Sequence, residues 1–293
     1  MWRDSRVAGA VYAAVLAGSA AALGITASHL AGGAPGAPGA GRIGRRVPLA
    51  ALRLAACTAA GTWAVVGGRS LAREAGAVES LLSDGDLPGA RRRLTRLVGR
   101  RTEHLDEAEI ARAVIESVAE NTSDAVIAPI FWGAVAGLPG LLAYRAINTL
   151  DAMVGHHSPR YERFGWASAR ADDIANYLPA RLTALLAAAV APAAGGSGRA
   201  ALAVARADGR RHPSPNAGVC ESAYAGALGV RLGGRNDYRT RVEDRPVLGG
   251  SGKPAAAADI VRAIRLSRGI TAASALACGA LAVAVQVMSR PRT

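Results

Sequence analysis

Apolar residues in this chain are gathered rather than scattered. They concentrate at positions 7–25, 47–68, 125–147, 178–194 and 269–288. A membrane-spanning helix needs about 20 predominantly apolar residues. The first, third and fifth stretches meet that length. The second carries Arg53 near one end, from where a long side chain can snorkel to the interface. The fourth is shorter and carries Arg181 and Pro192, which weakens it as a span. The fold class expected is all-α: a polytopic integral membrane protein of about four to five segments with helical cytoplasmic loops. The alternative left by so much alanine is a soluble helix bundle, but apolar runs of this length favour spans. Residues 1–293 read as one membrane domain, with a helical loop at 69–123 and a polar loop at 199–268.

Between the apolar runs the periodicity changes. Residues 70–83 and 88–98 read as two amphipathic helices, parted by Asp84-Gly85-Asp86. Leu71, Val78, Leu81 and Leu82 would face inward on the first, and Leu94, Leu97 and Val98 on the second. Residues 106–121 form the next helix, with Asp106 and Glu109 at capping-box spacing and Ile110, Val114 and Val118 in one stripe. Residues 31–46 read as a Gly/Pro/Ala linker and 195–202 as a second flexible joint. No helical pattern persists after Val230, until an amphipathic helix at 255–268 feeds the last apolar run. The run 125–147 poses a geometric problem. As a straight helix it would hold Asp124 and Asn148 roughly 33 Å apart. Gly137-Leu138-Pro139-Gly140 lies in its middle and breaks helices. The expectation is a broken or re-entrant hairpin that returns both ends to one side.

The net charge is +13, and Lys253 is the only lysine among the basic residues. The arginines cluster outside the apolar runs, as in Arg91-Arg92-Arg93, Arg100-Arg101 and Arg210-Arg211, which marks the cytoplasmic side of a membrane protein. With 4% aromatics and no nucleic-acid-binding signature, nucleic acid is not expected as a partner. The three cysteines show neither metal spacing nor a disulfide framework. The apolar run at 7–25 has no small-residue cleavage site after it and reads as a retained span.

Polar groups at the lip of a bilayer are costly and point to function. Glu116, Glu120, Asp124, Asp151, Asp172 and Asp173 are hard oxygen ligands of the kind magnesium takes, and magnesium suggests phosphate chemistry. Asn121, Asn148, Asn176 and Asn216 can orient phosphates or amides; Arg145, Arg170 and Arg181 are candidate phosphate forks. Arg112 stands four residues before Glu116, so an ion pair and a metal role are both open for that glutamate. His212-Pro213-Ser214-Pro215-Asn216 presents His212, Ser214 and Asn216 on a backbone stiffened by two prolines, either as a site or as a rigid turn. The glycines at 226, 229, 233 and 234 allow either close approach to an anion or close helix packing. Gly249-Gly250-Ser251-Gly252-Lys253-Pro254 fails as a phosphate loop, because the first glycine is misplaced and Pro254 replaces the Ser/Thr. His156-His157 reads as a loop pair.

These residues resemble a known family. Arg112-x3-Glu116-Ser117-Val118-Ala119-Glu120-Asn121-Thr122-Ser123-Asp124 and Tyr144-Arg145-Ala146-Ile147-Asn148-Thr149-Leu150-Asp151 carry the resemblance. Ala169-Arg170-x-Asp172-Asp173, Pro179-Ala180-Arg181, the His212–Gly218 run and Leu228-Gly229-x2-Leu232-Gly233-Gly234 extend it. Together they are similar to the cobalamin-biosynthesis membrane proteins of the CbiB/CobD family. The resemblance implies an adenosylcobinamide-phosphate synthase. Such an enzyme joins adenosylcobyric acid to an aminoalcohol phosphate (aminopropanol or ethanolamine phosphate) through an amide bond, using ATP and magnesium at the cytoplasmic face of the plasma membrane. Other cobalamin-biosynthesis enzymes would be its neighbours.

In that reading Glu120, Asp124, Asp151, Asp172 and Asp173 hold magnesium, with Glu116 as a further ligand. Arg145, Arg170 and Arg181 bind phosphate oxygens. Asn121, Asn148, Asn176, Ser214, Asn216, Gly233 and Gly234 contact substrate, and His212 either accepts the amine proton or binds a phosphate. Family members usually open with a further apolar segment and Asp-Pro and His-Pro-Val elements; this sequence begins Met1-Trp2-Arg3 and has its first proline at Pro35, as a shortened or divergent member would. The rival readings are a magnesium-dependent membrane transferase acting on a lipid or prenyl diphosphate, and a non-catalytic membrane scaffold for corrinoid enzymes.

Overall fold

The computed structural model describes residues 4–32, 49–155, 160–238 and 241–288, with side chains through residue 280. Among these residues the helices, in chain order, are α1 (Arg6–Leu30), α2 (Leu49–Val65), α3 (Gly68–Ser83), α4 (Leu87–Leu94), α5 (Glu107–Thr122), α6 (Ala128–Leu150), α7 (Trp166–Val190), α8 (Gly198–Asp208), α9 (Ala217–Leu228) and α10 (Ala257–Met288). A hairpin of β1 (Leu232–Tyr238) and β2 (Arg241–Leu248) stands between α9 and α10. The chain divides into two compact units, Met1–Val66 with Ala128–Ala175 and Ala275–Thr293, and Gly67–Ile127 with Asn176–Ser274. His156-His157 and nearly all of the 31–46 linker lie outside the described residues.

In the first unit α1 and α2 pack against α6. Small residues allow the close approach: Gly9 lies on the backbone of Phe164 and Gly24 on that of Pro139, with no room for a Cβ at either. Asp4 accepts hydrogen bonds from the backbone N–H groups of Arg163 (3.0 Å) and Phe164 (2.7 Å), which ties the start of α1 to that turn. The faces turned away from neighbours remain apolar, with Trp63 84% exposed on α2 and Ile174 75% exposed on α7. Such faces suit lipid rather than water. Among the described residues four helical stretches are long and apolar enough to cross a membrane: Arg6–Leu30, Leu49–Ser83, Glu107–Gly155 and Trp166–Ala194. The chain is thus an all-α polytopic membrane protein whose one sheet among the described residues is the β1–β2 hairpin. The short run at 178–194 belongs to a longer helix, because α7 begins at Trp166 and takes Arg170, Asp172 and Asp173 into its first turns. The run 269–288 is the C-terminal part of α10.

The break expected in 125–147 is present. Ala136 (φ −128°, ψ 16°) and Gly137 (φ 65°, ψ −157°) leave helical geometry just before Pro139. The chain then folds back: Gly140 lies against the backbone of Trp132, and Gly133 against the Leu141 side chain. Ala128, Tyr144 and Ala175 share one buried cluster, with Trp132 and Ile147 on its edge. A straight helix would part residues 128 and 144 by about 24 Å. The Trp132 indole N–H donates to the Ala175 carbonyl at 3.0 Å and fixes the hairpin to α7.

In the second unit Leu71, Val78 and Leu82 of α3 and Leu94 of α4 are buried, as their spacing predicts. Asp86 caps α4 by accepting from the Gly89 N–H at 2.8 Å. Both arms of the Asp106–Glu109 capping box form, at 2.8 and 2.9 Å, and Ile110, Val114 and Val118 are buried. Two features depart from expectation. The joint at 195–202 is mostly helix: Gly195 turns the chain at φ 70°, and Ser197 accepts from the Ala200 N–H at 3.2 Å to start α8. The antiparallel β1–β2 pair, from Leu232↔Leu248 to Tyr238↔Arg241 with a bulge between Leu232 and Gly234, lies where no element was expected. Gly, Arg, Asn and Asp fill β1, and these residues carry little intrinsic strand signal. Buried Leu232 and Leu248 close its base.

Candidate functional site

The second unit contains a buried network of charged and polar side chains. Glu116, on the inner face of α5, is its centre. Its Oε2 accepts from Arg100 at 2.9 Å, while its Oε1 accepts from Arg112 at 3.2 Å and from the Gly233 N–H at 2.8 Å. Arg112 also donates to the Gly233 and Arg235 carbonyls, and both arginines reach Asn236 Oδ1. The ion-pair reading of Glu116 is therefore the one the structure displays, with both its oxygens engaged by arginines. The Gly233 backbone does approach an anion, and that anion is Glu116. Gly233 and Gly234 take φ of 79° and 87°, and Gly226 packs on the backbone of Ala200 and Ala201. Close packing and turn geometry account for much of the Gly-rich stretch.

Beside this network sits Glu221 on α9, 1% exposed, with neither carboxylate oxygen hydrogen-bonded. Burial pushes its carboxyl well above the ordinary range, and Glu116 and Glu120 add to the shift. Its Oε1 lies 3.9 Å from His212 Nε2. His212 is enclosed: Nδ1 faces the Ser214 N–H at 3.0 Å, and Nε2 faces Arg245 at 3.4 Å. Burial, and then Arg245, push the imidazole below its usual value. Nδ1 accepting from the Ser214 N–H pins the loop, and a neutral imidazole, which has one donor and one acceptor nitrogen, then carries its proton on Nε2, on the side of Glu221. Arg245 also donates to the Tyr238 hydroxyl at 3.0 Å and pairs with Glu243 at 3.2 Å.

Other expected residues of this unit serve one another. Ser214 Oγ accepts from the N–H groups of Asn216 (3.3 Å) and Ala217 (3.1 Å) at the start of α9. Arg181 donates to Asn216 Oδ1 at 2.7 Å and stacks 3.7 Å over the Tyr177 ring, so two expected substrate contacts meet. Asn121 donates to the Ser117 carbonyl at 2.9 Å. Asn176 is buried, Glu120 exposed, and Asp124 sits in a π-helical turn, Ser123–Ile127, of a type often found at functional sites. Cys220 is buried and its thiol is pushed up by burial, so it is an inert core thiol. Tyr224 donates to Thr122 (3.1 Å), which bonds Ser267 (2.7 Å), and this joins α5, α9 and α10.

The first unit holds the second acidic group. Asp151 opens another π-helical turn, Asp151–Gly155. Asn148 donates to Asp172 Oδ1 at 3.2 Å and accepts from Arg145 at 3.4 Å, so Arg145, Asn148 and Asp172 form one chain. Arg170 is exposed on α7 and acts electrostatically on Asp173. Among the described residues no three His, Cys, Asp or Glu side chains are placed to cage a metal ion. Magnesium does not need such a cage, since it usually takes one or two carboxylates and completes its shell with water and phosphate. Asp151, Asp172 and Asp173 fit that requirement by donor chemistry, whereas Glu116 is paired with two arginines. Sequence reasoning missed Arg100, Glu221, Asn236, Tyr238 and Arg245. A glutamate at 221 within an otherwise apolar helix, between Cys220 and Ala223, was the available signal.

Fold and site together define a class: a polytopic helical membrane protein with a buried ionic network and acid-bearing π-helical turns. The chain belongs to the CobD/Cbib family, whose profile, described as CobD/Cbib protein, matches residues 1–267. It is 47% identical over 291 residues to the cobalamin biosynthesis protein CobD of Mycobacterium tuberculosis, covering 99% of this chain and 85% of that one. It is 50% identical over 222 residues to the protein of that name from Rhodobacter capsulatus, covering 75% of this chain and 69% of the relative. The Geobacter metallireducens protein of that name is 53% identical over 192 residues, 66% of this chain and 60% of its own. No solved structure matches the chain.

Proposed function

We propose that this protein acts in cobalamin biosynthesis as an ATP-dependent amide ligase. It joins adenosylcobyric acid to an aminoalcohol phosphate and yields adenosylcobinamide phosphate. The observation that carries the reading is the family match over residues 1–267, which contains every acidic and arginine motif discussed above. In the proposed reaction a corrinoid carboxylate oxygen attacks the γ-phosphorus of ATP and ADP leaves. The neutral amine then attacks the acyl carbon, the C–N bond forms, the acyl C–O bond breaks with release of inorganic phosphate, and the amine proton passes to solvent. Magnesium, when bound, neutralises phosphate charge. Asp151, Asp172 and Asp173 of the first unit would hold it, with Asn148 orienting Asp172, and Glu120 and Asp124 of the second unit would be further carboxylate ligands. Arg145, Arg170 and Arg181 bind phosphate oxygens, and Asn216 and Tyr177 hold the Arg181 guanidinium in one plane. His212 positions its loop. The reactions take place at the cytoplasmic face of the plasma membrane, where the arginine-rich loops lie.

Variants test these roles. Asp173→Ala is expected to reduce product formation at least a hundredfold while the protein still inserts into membranes. Arg181→Ala is expected to raise the KM for a phosphate-bearing substrate about tenfold, the loss of roughly one charge-assisted contact. Wild-type rates in both variants would contradict the assignment. Release of diphosphate from a prenyl diphosphate by the wild type would favour a transferase instead.

A further inference from the structure

Among the described residues of the second unit, pairing the charges of its interior leaves the buried carboxylate of Glu221 without an arginine or lysine partner. Glu116 has Arg100 and Arg112; Glu243 has Arg241 and Arg245; Asp259 has Lys253 and Arg262. Glu221 has no such cation. Both its oxygens are buried without a hydrogen-bond partner, and the nearest basic atom is His212 Nε2 at 3.9 Å. Glu116 and Glu120 add negative potential at it, opposed by Arg245 and Arg100, neither of which bonds to its oxygens. A buried polar group without a partner is rare in folded proteins and requires an explanation. Burying a carboxylate without a counter-charge costs several kcal/mol in order-of-magnitude terms, so a fold that keeps one there gains when a ligand supplies the donors.

The geometry points to Glu221 as the anchor for a primary ammonium group, binding the amine end of a small aminoalcohol phosphate while guanidinium groups take its phosphate. The identity of the whole ligand rests on the ligase reading; the ammonium preference rests on Glu221 itself. An ammonium carries three N–H donors, and the two Glu221 oxygens can accept two of them. A metal ion would need a further ligand set, and among the described residues none is in place. Arg245 acts on Glu221 and, with 24% of its side chain exposed, is the cationic group beside that carboxylate that reaches solvent. His212 Nε2 then stands beside the bound nitrogen and favours one orientation of it.

The test uses the full chain in detergent and two probes, O-phosphoethanolamine and ethyl phosphate, which share the phosphate and differ in the amine. Affinities are measured by calorimetry for wild type, Glu221→Gln and Glu221→Asp, each checked for an intact melting transition. Wild type is expected to bind O-phosphoethanolamine at least tenfold more tightly than ethyl phosphate. Glu221→Gln keeps the shape and loses the charge, and is expected to bind the two alike. Glu221→Asp keeps the charge and is expected to retain part of the preference, which also serves if the Gln variant does not fold. No amine preference in wild type, or an undiminished preference in Glu221→Gln, overturns the inference. Catalytic assay separates it from the ligase reading. Product formation with an undiminished preference in Glu221→Gln sinks the anchor alone; absence of product with a Glu221-dependent preference sinks the ligase and leaves the anchor.

Discussion

Glu116 shows what a single buried side chain does in this protein. It accepts from two arginines and one backbone N–H, and those partners come from the segment before α5, from α5 itself and from β1. Breaking a buried pair by removing one partner strands the others, at a cost of about 3–5 kcal/mol. Glu116→Ala should therefore lower the denaturant midpoint of the detergent-solubilised chain by that equivalent, whereas a loss below about 1 kcal/mol would match a surface pair and contradict the network. Only the Arg112 arm was legible in the sequence, through its four-residue spacing. Arg100, Gly233 and Asn236 are brought in by tertiary folding, which local periodicity does not encode.

Residue chemistry also sets a pH profile. The Glu221 carboxyl is raised above 4.5 by burial and then by Glu116 and Glu120, against Arg245 and Arg100. A raised carboxyl contributes its full stability below the unfolded value and loses it as pH climbs through the folded one. The His212 imidazole is lowered below 6.5 by burial and then by Arg245. Its contribution is present above that value and is lost as pH falls through the folded one. His212 should cost stability as pH falls below 6.5, and Glu221 as pH rises above 4.5. In a series of melting temperatures against pH, Glu221→Gln should remove part of the decline on the rising-pH side and keep the one on the falling-pH side. A rising-pH limb identical to wild type would contradict the assignment.

At the scale of elements, α6 is the informative case. Its break was legible because Gly137 and Pro139 are chemical signals: one permits φ 65°, the other cannot continue the helix. Spin labels at positions 128 and 144 should report packed-helix separation, near 8–10 Å between axes, whereas about 24 Å would restore the straight helix. The β1–β2 hairpin was not legible, since its strands are polar and gain their place from Leu232, Leu248 and the arginine network. α8 was hidden by the glycines before it, and the Ser197 cap decides its start.

The whole molecule joins two compact units whose apolar faces and acidic turns have different origins. Spans were legible because lipid demands length and composition, both of which a sequence displays. The candidate site was legible as a set of residue types and motifs, and much less as geometry. Expected contacts such as Ser214 and Gly233 hold protein groups in the structure, while Glu221 escaped notice inside an apolar helix. Both observations are what physical reasoning predicts: motif residues carry chemistry in their identity, whereas burial and pairing arise only when distant segments meet. The family match then places these acids and arginines in a protein of the CobD/Cbib family.

The most direct measurement is a product assay on membranes carrying the full chain. They would receive adenosylcobyric acid, aminopropanol phosphate, ATP and magnesium, with products resolved by mass spectrometry and Asp173→Ala as control. The account predicts adenosylcobinamide phosphate from the wild type, dependent on ATP and absent from the control. Well-folded wild-type protein that makes no such product with either aminopropanol phosphate or ethanolamine phosphate would contradict it.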